Sequence, residues 1–441
     1  MFYGGKNIMR IIKNLISIDL KNENSDYLFV NGINGSADII HKKEREIVEN
    51  WQKSDKIIAK NEFEKSLYDY LKSRQYIMNE KDEQKSKQDI IDRLKKVSEE
   101  RVQNQHIAWF VLTYSCNFAC PYCYEKGVEG SPIISKAMVD KVFSSNSNIE
   151  YIGFFGGEPL LNNNMEIIKY IISKAPNAKY STITNGYNLI DYIEILKSIE
   201  VLNIQVTLDG SRELHNKTRG LRNGAPTYDR IIDGIKKCVE NKIPIKIRMN
   251  ISHENIANCL EEKKRIESTE WGKKVQFELQ PLFQCSSSVK TQLHQSLFDN
   301  DNEEESIENQ IFKKLSPISD FLYNGKKLRP ILKTCDRDGQ SRFYDPYGNI
   351  YNCILAVGKE YKSIGKYYPK FSLKEKSFYT RDITTIEKCK NCANSLLCGG
   401  GCPNALPEEV DVFTPNCYSF LSDINDMVPL VDKIRRNKQN V

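Results

Sequence analysis

The sequence predicts an α/β protein: a parallel sheet with crossover helices, preceded by a separate N-terminal unit and followed by a cysteine-rich region. Three observations carry this. Between about Val111 and Pro281, short β-branched or aromatic runs alternate with stretches of i, i+3, i+4 apolar spacing. The first hundred residues show a hairpin pattern and then short helices. Ten of the thirteen cysteines fall into two groups, one at 116–123 and one at 335–417.

Taken in order, residues 27–31 and 36–40 read as strands joined at Asn34-Gly35, a dipeptide suited to a tight hairpin turn. Helical patterns follow at 42–51 and 62–71, then a short strand at 76–78. A strand pair with short helices resembles a winged-helix unit, and a lysine- and glutamate-rich amphipathic run at 84–100 links it to the rest. Six strands come next, at 107–113, 151–155, 179–184, 203–209, 243–250 and 275–281. Helices are expected between them at 135–144, 164–173, 190–199, 228–240 and 255–268. Such alternation implies right-handed crossovers in a partial (β/α)6 barrel, with functional residues at the carboxyl ends of the strands. From Cys285 to Ile311 the chain turns polar and acidic, most strongly at 299–305, and reads as a bridge. The expected domains are residues 1–104, 105–284, a bridging region 285–334, and 335–441.

Composition narrows the class. A length of 441 residues suits two to three domains. The net charge of +6 arises from 64 basic and 58 acidic residues mixed along the same stretches, with no arginine-rich or basic–aromatic stripe, so no nucleic-acid partner is expected. No run approaches eighteen apolar residues, so no membrane span is expected. The start, Met1-Phe2-Tyr3-Gly4-Gly5-Lys6, has no apolar run of the export type. A cytoplasmic protein with metal-bound thiolates is the expectation, rather than disulfides.

The first cysteine group is Cys116, Cys120 and Cys123, spaced C-x3-C-x2-C. Three thiolates hold three irons of a cubane cluster and leave the fourth open to a small molecule. Zinc suits this group poorly, because no fourth ligand is near. The second group is Cys335, Cys353, Cys389, Cys392, Cys398, Cys402 and Cys417, enough for nearly two further clusters. Zinc is a real rival there, since Cys389-x2-Cys392 alone would suit a zinc ribbon. Directly after the second strand stands Gly156-Gly157-Glu158-Pro159, where two glycines let backbone approach a ligand and a buried glutamate can meet a cation. Cys238 and Cys259 lie on helical patterns and read as buried small apolar residues.

The C-x3-C-x2-C group followed by this turn resembles the radical S-adenosylmethionine (SAM) superfamily over roughly residues 106–285. The resemblance implies a 4Fe–4S cluster on Cys116, Cys120 and Cys123 whose open iron chelates SAM. It implies that Gly156, Gly157, Glu158 and Pro159 contact the methionine amino group and that Tyr122 borders the adenine. It also makes Thr184, Asn185, Thr207, Asp209 and Arg248 candidates for ribose, carboxylate or substrate contacts, with Asp209 the candidate catalytic residue. The alternative for each is a strand-end cap or a core ion pair. Leu208-Asp209-Gly210 through His215-Asn216 to Arg219 is similar to the subfamily with a C-terminal cysteine domain, in which aspartate usually follows the histidine; here Asn216 stands instead. His215 reads as structural rather than as a base.

Cysteine for cysteine, and with Gly348 and Gly399-Gly400-Gly401 in place, the second group resembles the SPASM domain and its two auxiliary 4Fe–4S clusters. The resemblance assigns Cys335, Cys353 and Cys402 to the nearer cluster and Cys389, Cys392, Cys398 and Cys417 to the distal one, three clusters in all. Relatives have a further cysteine before Cys335, where this chain reads Arg329-Pro330-Ile331. Either Cys285 completes the nearer cluster or its iron stays open to a substrate thiolate. The N-terminal unit then favours a maturase of a ribosomally made peptide (RiPP), forming thioether or carbon–carbon cross-links. Such an enzyme would take a precursor peptide with a leader sequence and a reductant such as flavodoxin or ferredoxin. The alternatives are an anaerobic sulfatase-maturing enzyme forming formylglycine and a non-enzymatic iron–sulfur electron carrier.

Overall fold

The computed structural model describes residues 8–54, 56–103, 105–125, 128, 132–252, 254–281, 317–334, 340–377, 379–407 and 409–439. Cys285, Cys335 and the acidic stretch lie outside the described residues. Two compact units interleave along the chain. One combines residues 1–99, 301–336 and 381–441, the other residues 100–300 and 337–380.

In the first unit, β1 (Met9–Ile11) pairs antiparallel with β5 (Ile77–Asn79). Strands β2 (Leu15–Asp19), β3 (Tyr27–Asn31) and β4 (Ala37–Ile40) form an antiparallel sheet in that order, so β4 is its outer strand. The hairpin at Asn34-Gly35 is therefore present, joining β3 to β4. Helix α1 (Lys42–Gln52) starts with the His41 amide donating to the Glu44 carboxylate at 2.9 Å, and α2 (Glu62–Ser73) with Asn61 accepting from the Glu64 amide at 2.9 Å. Both helices bury one face, Val48, Trp51, Leu67 and Leu71, against Phe29 and Tyr76. The Asp38 carboxylate of β4 accepts from the hydroxyls of Tyr70 and Tyr76 at 2.6 and 2.7 Å and from Arg74 Nε at 2.9 Å, which ties the strand to α2.

Helix α3 (Glu80–Gln103) is more than the linker its composition suggests. Its Glu83 is buried and accepts the amides of Lys13 and Asn14 at 2.7 and 3.3 Å, capping the turn between β1 and β2. Ile90, Ile91 and Leu94 on the same helix pack with Ile33, Ile386, Cys389 and Leu396. The N-terminal residues and the C-terminal cysteine loops thus share one core.

The second unit holds the sheet predicted from the alternation. Strands β6 (Ile107–Val111), β7 (Tyr151–Phe155), β8 (Lys179–Thr184), β9 (Glu200–Thr207), β10 (Ile245–Ile251) and β11 (Gln276–Pro281) pair in parallel in chain order. Helices α4 (Lys136–Ser145), α5 (Met165–Lys174), α6 (Leu189–Lys197), α7 (Arg212–Thr218), α8 (Tyr228–Glu240) and α9 (Ile256–Glu267) make the crossovers. The sheet does not stop at six strands. On the far side of β6, β12 (Ser341–Tyr344) pairs with it in parallel, and the short antiparallel strands β13 (Asn349–Tyr351), β14 (Gly365–Lys366) and β15 (Ser372–Leu373) bring the total among the described residues to ten. Cys238 and Cys259 are fully buried on α8 and α9, as their apolar surroundings imply. Among the described residues no helix is long and apolar enough to cross a membrane.

Candidate functional site

The carboxyl ends of β6 to β10 carry the chemistry-bearing residues. The cysteine loop leaves β6 through Thr113, Tyr114 and Ser115, and the Gly156-Gly157 turn leaves β7 directly against it. The amide of Gly157 donates to the Thr113 carbonyl and that of Glu158 to the Ser115 carbonyl, both at 2.9 Å. A Cβ on Gly156 would collide with the Thr113 carbonyl oxygen, and one on Gly157 with that of Tyr114. Gly156 also sits at φ +133°. The two glycines are required because one backbone is stacked on another, so the turn and the cysteine loop form one construction.

Glu158 is almost wholly buried, and the charge of Arg219 reaches it. Its oxygens accept from the Leu160 amide at 2.8 Å, the Thr184 hydroxyl at 2.6 Å and the Asn185 amide at 2.7 Å. Pro159, equally buried, offers its carbonyl to Asn164 Nδ2 at 3.0 Å. Thr184, placed by its sequence position among the possible ligand contacts, spends its hydroxyl on Glu158 and accepts from the Gly186 amide at 3.0 Å. It braces the end of β8 against the end of β7. Asn185 turns towards the cysteine loop, donating to Asn117 Oδ1 at 2.7 Å and lying 3.9 Å from Cys116 Sγ.

On its other side the loop is held by the segment after α7. Ala119 donates to the Gly220 carbonyl at 3.3 Å, Arg222 Nε to the Cys116 carbonyl at 2.8 Å, and the Arg222 amide to the Asn117 carbonyl at 3.0 Å. Burial pushes the Cys116 thiol up to about 12, and the charges of Glu158, Cys120 and Cys123 add to this. Burial also raises the thiols of Cys120 and Cys123. Among the described residues no three His, Cys, Asp or Glu side chains close on one point as the ligands of a single ion do. Three thiols that share one field, two of them partly buried and one exposed, suit separate irons of a cluster, whose charge would hold them as thiolates. The donor set fits that group.

Beyond the loop, Tyr122, Asp209 and Arg219 form a closed polar network. The Tyr122 hydroxyl donates to Asp209 Oδ2, Arg219 Nη1 donates to the Tyr122 oxygen at 2.6 Å, and Arg219 lies 3.8 Å from Asp209. The other Asp209 oxygen accepts the Asn250 amide at 3.0 Å. With both oxygens engaged and only 2% of the residue exposed, Asp209 is arranged as a brace between β9, β10 and the cysteine loop. Tyr122 is likewise tied down by its hydroxyl. Thr207 is buried in register with Arg248, whose Nε donates to Asn250 Oδ1 at 3.1 Å. Asn216 accepts the amides of Thr227 and Tyr228 at 2.9 and 3.0 Å, starting α8. Only an acceptor oxygen is needed there, so asparagine serves as aspartate would.

His215 is fully buried and accepts the Asp209 amide on Nδ1 at 3.2 Å. Burial, with the charge of Arg219, holds its imidazole well below the ordinary histidine value, so it is neutral in the folded chain. A depressed value of this kind contributes stability that is present above the unfolded-state pKa of about 6.5 and is lost as pH falls below it. The His215→Gln variant, which keeps an acceptor, is expected to flatten the fall in melting temperature between about pH 6.5 and 5 relative to the parent chain. Parallel acid slopes for the two would reject this.

In the C-terminal group, Cys389, Cys392, Cys398 and Cys417 lie in one another's electrostatic field. The Gly400 amide donates to Cys398, and a Cβ on Gly401 would collide with the Asn416 carbonyl. Four thiols in one field, one of them with a backbone donor, fit a cluster as well as the first set does. Cys353 follows β13, and Cys402 precedes the short turn Pro403–Ala405; both are partly exposed.

Two residues essential to this architecture escaped the sequence reading. Asp345, in the β12–β13 turn that also contains Gly348, is buried and accepts from the hydroxyls of Tyr114 and Tyr351 at 3.1 and 3.2 Å and from the Asn349 amide at 2.7 Å. It joins the first cysteine loop to the hairpin that leads to Cys353. Arg381 is 4% exposed and donates to the carbonyls of Gly400, Gly401, Val412 and Thr414 at 2.6–3.1 Å. No local pattern marks either, since each is a single polar residue whose partners are distant in sequence.

Residues 110–262 match the model of the radical SAM superfamily. A curated relative from Saccharolobus islandicus, named "Probable GTP 3′,8-cyclase", is 33% identical over 150 residues, which is 33% of this chain and 47% of that protein. The Fe-coproporphyrin III synthase of Methanosarcina barkeri is 34% identical over 154 residues, 33% of this chain and 37% of that protein. The chain thus spans about half or less of the length of these curated relatives. Among solved structures, anSMEcpe with bound AdoMet and Kp18Cys peptide has a TM-score of 0.53 at 17% identity, covering 75% of this chain and 99% of that one. The fold is that of radical SAM enzymes, and residues 110–262 are similar to that superfamily, whose chemistry uses a 4Fe–4S cluster and S-adenosylmethionine.

Proposed function

We propose that this chain is a radical SAM maturase of a ribosomally made precursor peptide, forming a thioether or carbon–carbon cross-link. Cys116, Cys120 and Cys123 would hold the SAM-binding 4Fe–4S cluster. Cys389, Cys392, Cys398 and Cys417 would hold a distal auxiliary cluster, and Cys335, Cys353 and Cys402 a third, which either Cys285 completes or an iron open to a substrate thiolate leaves unfilled. When bound, cluster and SAM together supply a 5′-deoxyadenosyl radical that removes hydrogen from an unreactive carbon. The chain's own part is to fix the cysteine loop through Gly157, Arg222 and Asn185, to keep charge balanced around it through Asp209 and Arg219, and to present the peptide. A soluble electron donor of the flavodoxin or ferredoxin type and a cytoplasmic setting belong to the same proposal.

The observation that carries the peptide reading is the outer strand β4. It is bonded only to β3 within its sheet, and beside it runs a groove lined by Ile39, Glu44, Phe63, Leu67 and Tyr70. Ile39, Phe63 and Tyr70 are 39%, 45% and 46% exposed, a run of apolar surface at an open strand edge. An extended peptide adds to such an edge through its main chain and sets side chains into the groove. The Ile39→Glu/Phe63→Glu double variant is expected to weaken binding of a precursor peptide encoded beside the gene at least tenfold, about 1.4 kcal/mol. Peptide-independent formation of 5′-deoxyadenosine should be unchanged. Normal binding and cross-linking by that variant, followed by mass spectrometry for loss of two hydrogens per cross-link, would overturn the peptide reading.

A further inference from the structure

The loop between Cys389 and Cys392 is held from outside the C-terminal segment. Lys87 Nζ on α3 donates to the Lys390 carbonyl at 2.9 Å, and Asn14 Nδ2 donates to the Ala393 carbonyl at 3.1 Å. Gly32 lies so close that a Cβ there would stand 2.8 Å from the same Ala393 oxygen. Ile90, Ile91 and Leu94 pack behind this loop on Ile386, Cys389 and Leu396. Lys87 is itself half-buried and lies in the field of Cys392 and of Glu83, one helical turn away. Glu83 is already committed to the amides of Lys13 and Asn14 and to Arg10, which is 3.1 Å away. Arg381 also lies in the field of Cys389, and its guanidinium is engaged by four carbonyls. Lys87 places its ammonium on the carbonyl of Lys390, a residue between Cys389 and Cys392 in the chain, where burial lowers its pKa and the charges of Glu83 and Cys392 oppose that.

From this placement we infer that Lys87 is a positioning residue for the distal cysteine group, the fixed cation by which the N-terminal unit sets the reduction potential of the cluster bound there. The inference rests on the reading of Cys389, Cys392, Cys398 and Cys417 as ligands of an iron–sulfur cluster. Reduction adds a negative charge, and a half-buried ammonium stabilises that state more than bulk water would. Removing the charge therefore makes the cluster harder to reduce. The residues that present the peptide edge and those that bias the distal cluster belong to one folded unit, so the N-terminal region is part of the electron-transfer apparatus as well as a docking module.

The test uses the full-length chain with Cys116, Cys120 and Cys123 replaced by alanine, reconstituted anaerobically and titrated by electron paramagnetic resonance. In that background the Lys87→Gln variant keeps an amide donor for the Lys390 carbonyl but loses the charge. It is expected to shift one of the remaining cluster signals to lower potential by about tenfold in the reduction equilibrium, about 59 mV for one electron. Iron content should be unchanged, and Lys87→Arg should restore the parent potential. A potential unmoved in Lys87→Gln, or both signals moving together with loss of iron, would overturn the inference while leaving the cluster reading intact. If Cys389→Ala in the same background left iron and signals unchanged, the cluster assignment itself would fall and the inference with it.

Discussion

Replacing Cys116, Cys120 and Cys123 together by alanine is expected to abolish formation of 5′-deoxyadenosine and to remove about a third of the iron of an anaerobically reconstituted chain. The fold should survive, because none of the three side chains is part of the packed core. The loop is held by its backbone, through Gly157, Gly220 and Arg222, and by Tyr122 on Asp209. The same logic gives a contrasting variant. Gly157→Ala keeps all three thiols but drives a methyl group into the carbonyls of Tyr114 and Ser115, so it should reduce iron at this site by displacing the loop. Measurable SAM cleavage in the triple variant, or an unchanged iron content, would remove the first cluster from this loop.

Much of the fold could be read from periodicity. The six parallel strands begin and end within a few residues of their expected positions, because each is a β-branched or aromatic run closed by a turn. What escaped has an identifiable cause. Strands β12 to β15 are two to four residues long, too short for alternation to register, and their place beside β6 depends on pairing across more than two hundred residues. Helix α3 looked like a linker because charged residues dominate it, and only Ile90, Ile91 and Leu94 mark its packed face.

The site was legible as a set of residues but less so as a set of roles. The cysteines and the Gly156-Gly157 turn stand out by spacing. That Glu158, Thr184 and Asp209 are engaged by the chain's own donors follows from contacts between neighbouring strand ends, which no local pattern encodes. Sequence shows which groups reach the carboxyl ends of the strands. Hydrogen-bond saturation decides which of them remain able to meet a ligand.

Arg381 offers the sharpest case, and Arg381→Met is expected to cost the distal cysteine group its iron, about a further third of the total. The guanidinium joins two stretches of chain. Gly400 and Gly401 follow Cys398, and Val412 and Thr414 lead towards Cys417. Methionine fills a similar volume but leaves buried carbonyls without donors, at roughly 1–3 kcal/mol each, so the stability loss should be at least about 3 kcal/mol. Arg381→Lys should recover only part of this, since a single ammonium cannot span four carbonyls arranged around a planar fork. The expected order of iron content and of melting temperature is therefore parent, lysine, methionine. A methionine variant with full iron and an unshifted melting temperature would show that the two loops hold their cysteines without the arginine. If instead iron and melting temperature fall together in the chain bearing alanine at positions 116, 120 and 123, the lost iron belongs to the C-terminal cysteines, because the first site is already empty. Arg381 would then be the residue that makes the triple-glycine turn and the 412–417 segment into one binding site.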